Sequence, residues 1–196
     1  TDARETAELV GRATGCRAEE VIVASTGVIG TRLPMAKLRA GIAEAAPRLS
    51  REGGGEAARA IMTTDTKPKE VEIDFRVGEK ACRIGAMAKG AGMIAPNLAT
   101  MLAFFTTDAA VEPKPLQQAL VAAVGASLNR ITVDGDTSTN DCAVVLASGA
   151  SGAAPITGPG PAYDAFATAL AQATLRLAEM LVRDGEGASK IARVLV

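Results

Sequence analysis

The chain has 196 residues, 48% of them hydrophobic and 22% charged, with a formal net charge of −1. That is enough apolar material for one large domain or two small layers around a shared core, and the complete lack of histidine excludes Ser-His and Cys-His catalysis and removes the commonest transition-metal ligand. Lys and Arg are dispersed and only 3% of residues are aromatic, so a nucleic acid or a membrane is a poor partner and a small molecule or a protein a better one.

Cys16, Cys82 and Cys142 are far apart and odd in number, the pattern of reduced, buried thiols in a cytoplasmic protein. Neither a signal peptide nor an uninterrupted apolar run of some 18 residues is present. The start at Thr1, without methionine, reads as a processed end, and Ile191 to Val196 reads as a strand cut short.

In chain order, Thr1 or Asp2 caps a helix that runs to about Ala13 and stops at Thr14-Gly15. Glu20 to Ala24 is expected as a buried strand ending in Ser25-Thr26-Gly27, small residues whose free N–H groups suit an anion or oxyanion. Pro34 to Glu44 and Glu56 to Met62 are helical, separated by a glycine-rich loop, and Met62 to Pro68 is a polar linker. Glu70 to Arg76 alternates like a half-exposed strand, Gly78 turns the chain, and Ala81 to Ala88 returns, which puts Lys89-Gly-Ala-Gly92 at a strand end. Thr100 to Thr106 is the next apolar run, followed by a helix over Glu112 to Leu128 and strands at Ile131 to Val133, Ala143 to Ala147 and Ile191 to Val196. A loop covers Ser148 to Pro161. The helix over Tyr163 to Arg183 is the longest, with Phe166, Leu170, Leu175, Leu177 and Leu181 apolar. Interleaved helices and strands with at least one hairpin predict a layered α/β or α+β fold.

The compact chemical unit is Ala99-Thr100, because a threonine at a new chain end carries a nucleophilic Oγ and its own α-amine as base. Lys89-Gly-Ala-Gly92 lacks the spacing of a phosphate loop. Asp134 to Asp141 has the composition of part of a calcium loop but lacks the Glu at position twelve, so it is expected as a hydrogen-bonded loop rather than a metal site. Asp184-Gly-Glu-Gly187 taken singly is a helix stop.

Taken in order, Ser25-Thr-Gly-Val-Ile-Gly30, Ile61-Met-Thr-Thr-Asp-Thr66, Ala88 to Leu102, Asp136-Thr-Ser-Thr-Asn-Asp141 and Asp184-Gly-Glu-Gly187 make nearly the whole chain resemble the ornithine acetyltransferase family, also called the arginine biosynthesis bifunctional protein family. The resemblance implies a sheet-and-helix sandwich shared with self-processing aminopeptidases. It implies self-cleavage at Ala99-Thr100, so that residues 1–99 end an alpha chain and 100–196 begin a beta chain, together the central portion of one self-processing protein. Thr100 then carries acetyl from N-acetylornithine to glutamate, with Thr26 and Gly27 as the oxyanion hole and Thr63, Lys89 and Glu186 binding substrate beside Thr100. Thr64 is an alternative to Thr63. No metal or resident cofactor is implied, although some members also use acetyl-CoA as a co-substrate to acetylate glutamate. Alpha and beta chains are expected to pair, as a heterotetramer. The competing readings are a self-processing aminopeptidase or amidohydrolase, in which water resolves the acyl-enzyme, and an unprocessed, inactive fragment.

Overall fold

Alternation of charged and apolar residues over Lys69–Val77 makes a strand whose odd-numbered side chains face inward, and this strand, β1, starts a four-stranded sheet. The computed structural model describes residues 1–95 and 101–195, which form two compact units, Thr1–Gly54 and Gly55–Val196. The fold is mixed α/β. In the first unit, α1 (Asp2–Thr14) starts at Thr1, whose hydroxyl accepts from Arg4 N, and ends on Gly15, left-handed at φ 78°. A 3-10 turn, Ala18–Glu20, follows, then α2 (Met35–Ala45) and a second 3-10 turn, Ala46–Arg48. Arg39 of α2 donates to Glu5 of α1 at 2.6 Å.

After α3 (Gly54–Ala60), β1 pairs antiparallel with β2 (Lys80–Lys89) through a two-residue connection in which Gly78 takes φ 59°. β2 pairs antiparallel with β3 (Leu102–Thr107), placing Lys89 opposite Leu102. β4 (Cys142–Ala147) lies parallel to β3, so the chain must cross over between them, and it does so through α4 (Pro113–Ala126) and the 3-10 turn Leu128–Arg130. The strand order is β1-β2-β3-β4.

α5 (Pro161–Arg183) packs on β1, β2 and α4. Its buried residues, Phe166, Ala169, Leu170, Ala173, Thr174, Leu177, Ala178 and Leu181, recur at helical spacing. They meet Ile73, Val77, Ile84 and Phe105 of the sheet in one core. Each fully buried Leu or Phe in this layer stabilises it by about 1.5–3 kcal/mol relative to exposure. The helix is long and apolar enough to cross a membrane by length and composition alone, but here its apolar face is the core.

Several sequence expectations are corrected. Residues 20–24, 131–133 and 191–195 are not strands: a strand exists only where a neighbour completes its ladder, and among the described residues none pairs with them. Leu175 is half exposed rather than part of the core face. Cys82 is buried as expected and Cys142 partly so, whereas Cys16 is exposed beyond the end of α1.

Candidate functional site

Lys89 is the last residue of β2, and its side chain turns into the protein, 2% exposed. The strand cannot continue past it, because Gly90 adopts φ 146°, a backbone that favours glycine. Among the described residues, no side chain makes a salt bridge to Lys89 Nζ within 4.0 Å. Burial depresses the Lys89 pKa, with Lys69 acting in the same sense and Asp65 and Glu186 opposing it.

Glu186 reaches the same place from the opposite direction. Asp184 ends α5, and the turn Asp184-Gly185-Glu186 brings Glu186 N to Ala91 O at 2.6 Å. Gly185 packs so closely on Val133 that an added Cβ would lie 3.0 Å from Val133 Cγ1. The Glu186 carboxylate lies over Gly92, where an added Cβ would be only 2.8 Å from Cδ and Oε2. Glycine at 92 therefore makes room for the acid. Thr63 enters from the polar linker after α3; its side chain is exposed and its N–H donates to Asp65 Oδ2 at 3.1 Å. Thr64 is exposed too, so burial does not separate the two threonines.

Asp65, Lys69 and Asp184 are the residues that sequence reasoning missed. Lys69 Nζ is 2.6 Å from Asp65 Oδ1 and 2.6 Å from Asp184 Oδ2, with the Lys69 and Asp65 side chains at most 1% exposed. Asp65 Oδ1 also accepts from Gly90 N at 2.7 Å, while Asp184 accepts from Thr66 N at 2.9 Å and from the Thr66 hydroxyl. Burial alone would raise both carboxyls; hydrogen bonds from Lys69 and these donors more than reverse it, and Asp184 falls to about 2. A usable signal lay in the phase of β1. Lys69 shares the inward face with Val71, Ile73, Phe75 and Val77, and a lysine buried as an ammonium is usually paired with a carboxylate.

The loop after Lys89 is held by Asp134, which accepts from Met93 N, Ile94 N and Asp136 N. Residues 134–141 are therefore a hydrogen-bonded loop, as expected. Met93 is held at φ 56°, unusual for a residue with a side chain. Asp141 Oδ1 accepts from Met101 N at 2.8 Å, its Oδ2 is buried without a partner among the described residues, and burial raises its pKa against that one hydrogen bond.

Thr63, Lys89 and Glu186 thus converge, tied through Asp65, Asp184, Gly90 and Ala91. Thr26 and Gly27 belong to the first unit, in an unpaired segment before a turn closed by Thr31 N to Val28 O at 3.2 Å. The expected oxyanion-binding strand end is thus an irregular loop. Ala99 and Thr100 lie outside the described residues. Their described neighbour Met101 is fixed through Asp141, and Met101 O accepts from Cys142 N at 3.1 Å.

The family model described as the ArgJ family matches residues 1–196. The Arginine biosynthesis bifunctional protein ArgJ of Symbiobacterium thermophilum is 56% identical over the whole chain, which covers 48% of that relative. The proteins of the same name from Synechococcus sp. and Methylococcus capsulatus are 49% and 50% identical over the whole chain, covering 47% and 48% of their lengths. The chain spans about half the length of the curated relatives it matches. A crystal structure of Arginine biosynthesis bifunctional protein argJ from Bacillus halodurans is 50% identical, with a TM-score of 0.45 over 46% of this chain and 43% of that one. A match along every residue of the sequence, with relatives at half identity, means that the chain belongs to the ArgJ family.

Proposed function

We propose that the protein is an acetyltransferase of arginine biosynthesis that cleaves itself at Ala99-Thr100 and uses Thr100 as an acetyl carrier between N-acetylornithine and glutamate. Residues 1–99 then end an alpha chain and 100–196 begin a beta chain, paired in a cytoplasmic heterotetramer. The observation that carries the substrate side of this reading is the convergence of buried Lys89 with the Glu186 carboxylate. A cation and an anion placed together suit an amino acid derivative, Lys89 for its α-carboxylate and Glu186 for the ornithine amino group, with Thr63 as an adjacent polar contact.

The chemistry is balanced in two stages. In processing, Thr100 Oγ adds to the Ala99 carbonyl, the C–N bond breaks as the Thr100 nitrogen takes a proton, and water hydrolyses the resulting ester. The freed α-amine has an ordinary pKa of about 7.7–8.0 and so supplies a neutral base near neutrality without histidine. In transfer, Oγ attacks the acetyl carbonyl of N-acetylornithine, ornithine leaves with the proton, and the glutamate amine attacks the acetyl-threonine ester. Each half-reaction passes through an oxyanion for which the Thr26 hydroxyl and Gly27 N–H are the proposed donors; losing one such donor typically costs about 3–4 kcal/mol of barrier. Acetyl-CoA is a second donor through the same ester. No step calls for a metal.

Intact mass and N-terminal sequencing of the full-length protein test the reading. Two chains are expected, the second starting at Thr100, and a single chain from Thr100→Ala. Acetyl transfer to glutamate should accompany cleavage in the parent. Acetate release independent of glutamate would instead make the protein a hydrolase, and cleavage surviving in Thr100→Ala would remove Thr100 from the mechanism.

A further inference from the structure

Three buried charges stand behind the substrate site rather than in it. Lys69 extends from the start of β1 between Asp65, in the linker after α3, and Asp184, at the end of α5. Each carboxylate also grips backbone that carries a substrate residue. Asp65 accepts from the N–H of Thr63 itself and from Gly90, the residue after Lys89. Asp184 accepts from Thr66 N and its hydroxyl and stands two residues before Glu186, whose own N–H is bonded to Ala91 O. Linker, strand end and helix end are thereby joined through one ammonium.

We propose that the Asp65–Lys69–Asp184 triad is the positioning device of this site, fixing Thr63, Lys89 and Glu186 relative to one another. The proposal rests on the reading of those three residues as the substrate site. Two carboxylates and one ammonium leave the triad one charge negative, and Lys89 brings the buried group to neutrality. The charged groups acting on Lys89 come from every side: Asp65 from the linker, Lys69 from β1 and Glu186 from the segment after α5. Asp65 and Glu186 favour the ammonium there, whereas burial and Lys69 favour the neutral amine. An ion triad in a core is often replaceable by apolar residues without loss of stability. Directional hydrogen bonds from one ammonium to two carboxylates, one of which also holds Gly90 at the strand end, provide something that apolar packing does not, a fixed relation between the backbone segments that carry Lys89 and Glu186.

The test uses Asp65→Asn in the full-length protein, a near-isosteric change that removes the triad's negative charge acting on Lys89 and keeps the Lys69–Asp184 pair. One readout needs no enzymatic activity: the 13Cε shift of Lys89 is followed against pH, assigned with Lys89→Arg. Its titration midpoint should fall by about half a pH unit or more. The second is acetyl transfer, where KM for N-acetylornithine should rise about tenfold while kcat stays within about threefold. Asp65→Glu should return the Lys89 midpoint toward the parent value. Thr66→Val, which loosens Asp184 and leaves every charge in place, should raise KM about twofold to threefold without moving the midpoint. If Asp65→Asn does not accumulate folded, Thr66→Val decides the positioning role by its KM. An unmoved Lys89 midpoint and unmoved KM values, with only a lowered melting temperature, would overturn the proposal and make the triad a structural brace. A parent that titrates at Lys89 as described but transfers no acetyl group would instead overturn the functional reading.

Discussion

Two buried lysines in one region serve opposite ends, and their substitution should have opposite effects. Lys69 is fully paired with Asp65 and Asp184, so Lys69→Met leaves two carboxylates facing each other without their cation. Breaking a buried pair in this way costs about 3–5 kcal/mol, which urea unfolding should show. Lys89 is buried at 2% exposure with its ammonium disfavoured by burial, and Lys89→Met removes a charged group that makes no salt bridge among the described residues. If Lys89 serves the proposed substrate site, the variant's stability should be unchanged or raised by about 0.5–2 kcal/mol while the proposed acetyl transfer is lost. A large destabilisation of Lys89→Met would show that this lysine supports the fold. Gly92 supplies a second contrast. Gly92→Ala would put its Cβ 2.8 Å from the Glu186 carboxylate, the end of a flexible side chain on an exposed residue. Unfolding free energy should change by less than about 1 kcal/mol, and KM should rise because Glu186 must move.

At the scale of elements, the loop after β2 shows how a short segment is held in an unfavourable shape. Met93 at φ 56° costs roughly 1–3 kcal/mol, offset by Asp134 accepting from Met93 N and Ile94 N. Met93→Gly should therefore stabilise the protein by about 0.5–1 kcal/mol, measured by urea midpoint, whereas Asp134→Ala should destabilise it by about 1–3 kcal/mol. A destabilised Met93→Gly would mean that its side-chain contacts outweigh the backbone strain. The same loop marks the limit of legibility in the sequence. Alternation over 70–76, the glycine turn at 78 and the helical spacing of Phe166, Leu170, Leu177 and Leu181 are local signals, and β1, β2 and α5 follow from them. Residues 20–24 carry an equally apolar strand pattern but no described neighbour completes a ladder with them, so propensity goes unanswered. Within the site, Lys89 and Glu186 were legible only through the ordered motifs. Asp65 and Asp184 lay inside those motifs, but Asp184 acts through contacts more than 110 residues apart, from Lys69 and Thr66, and Asp65 through Gly90, 25 residues on, and no local period encodes such contacts.

For the whole molecule, the second unit holds several carboxyls by hydrogen bonds, Asp65, Asp134 and Asp184 among them, and this makes its stability acid-sensitive in a defined window. Asp184 is lowered from 3.8 to about 2, burial being outweighed by Lys69 and Thr66. Asp65 and Asp134 are also lowered, each by donors that overcome burial. A carboxyl with a depressed folded pKa binds its proton more readily when unfolded. Its contribution is therefore full above the unfolded value near 3.8 and is lost as pH falls through the folded one. For Asp184 alone that amounts to about 2 kcal/mol. Asp141 runs the other way: its pKa is raised by burial, so its contribution is present below the unfolded value and declines as pH rises through the folded one. The unfolding free energy of the second unit should therefore change little from pH 7 to 5 and drop steeply between about pH 4 and 2. Asp184→Asn should flatten that drop while lowering stability at pH 7, because the charge-assisted bond to Lys69 is already gone. Asp141→Asn should leave the steep limb in place, since a carboxyl whose folded pKa is raised does not lose stability as pH falls. Urea unfolding at intervals from pH 7 to 2, followed by circular dichroism, distinguishes these curves. A parent whose stability stays level to pH 2 would mean that the buried ion triad contributes nothing to the acid response, and the paired carboxylates would then have the same affinity for protons folded and unfolded.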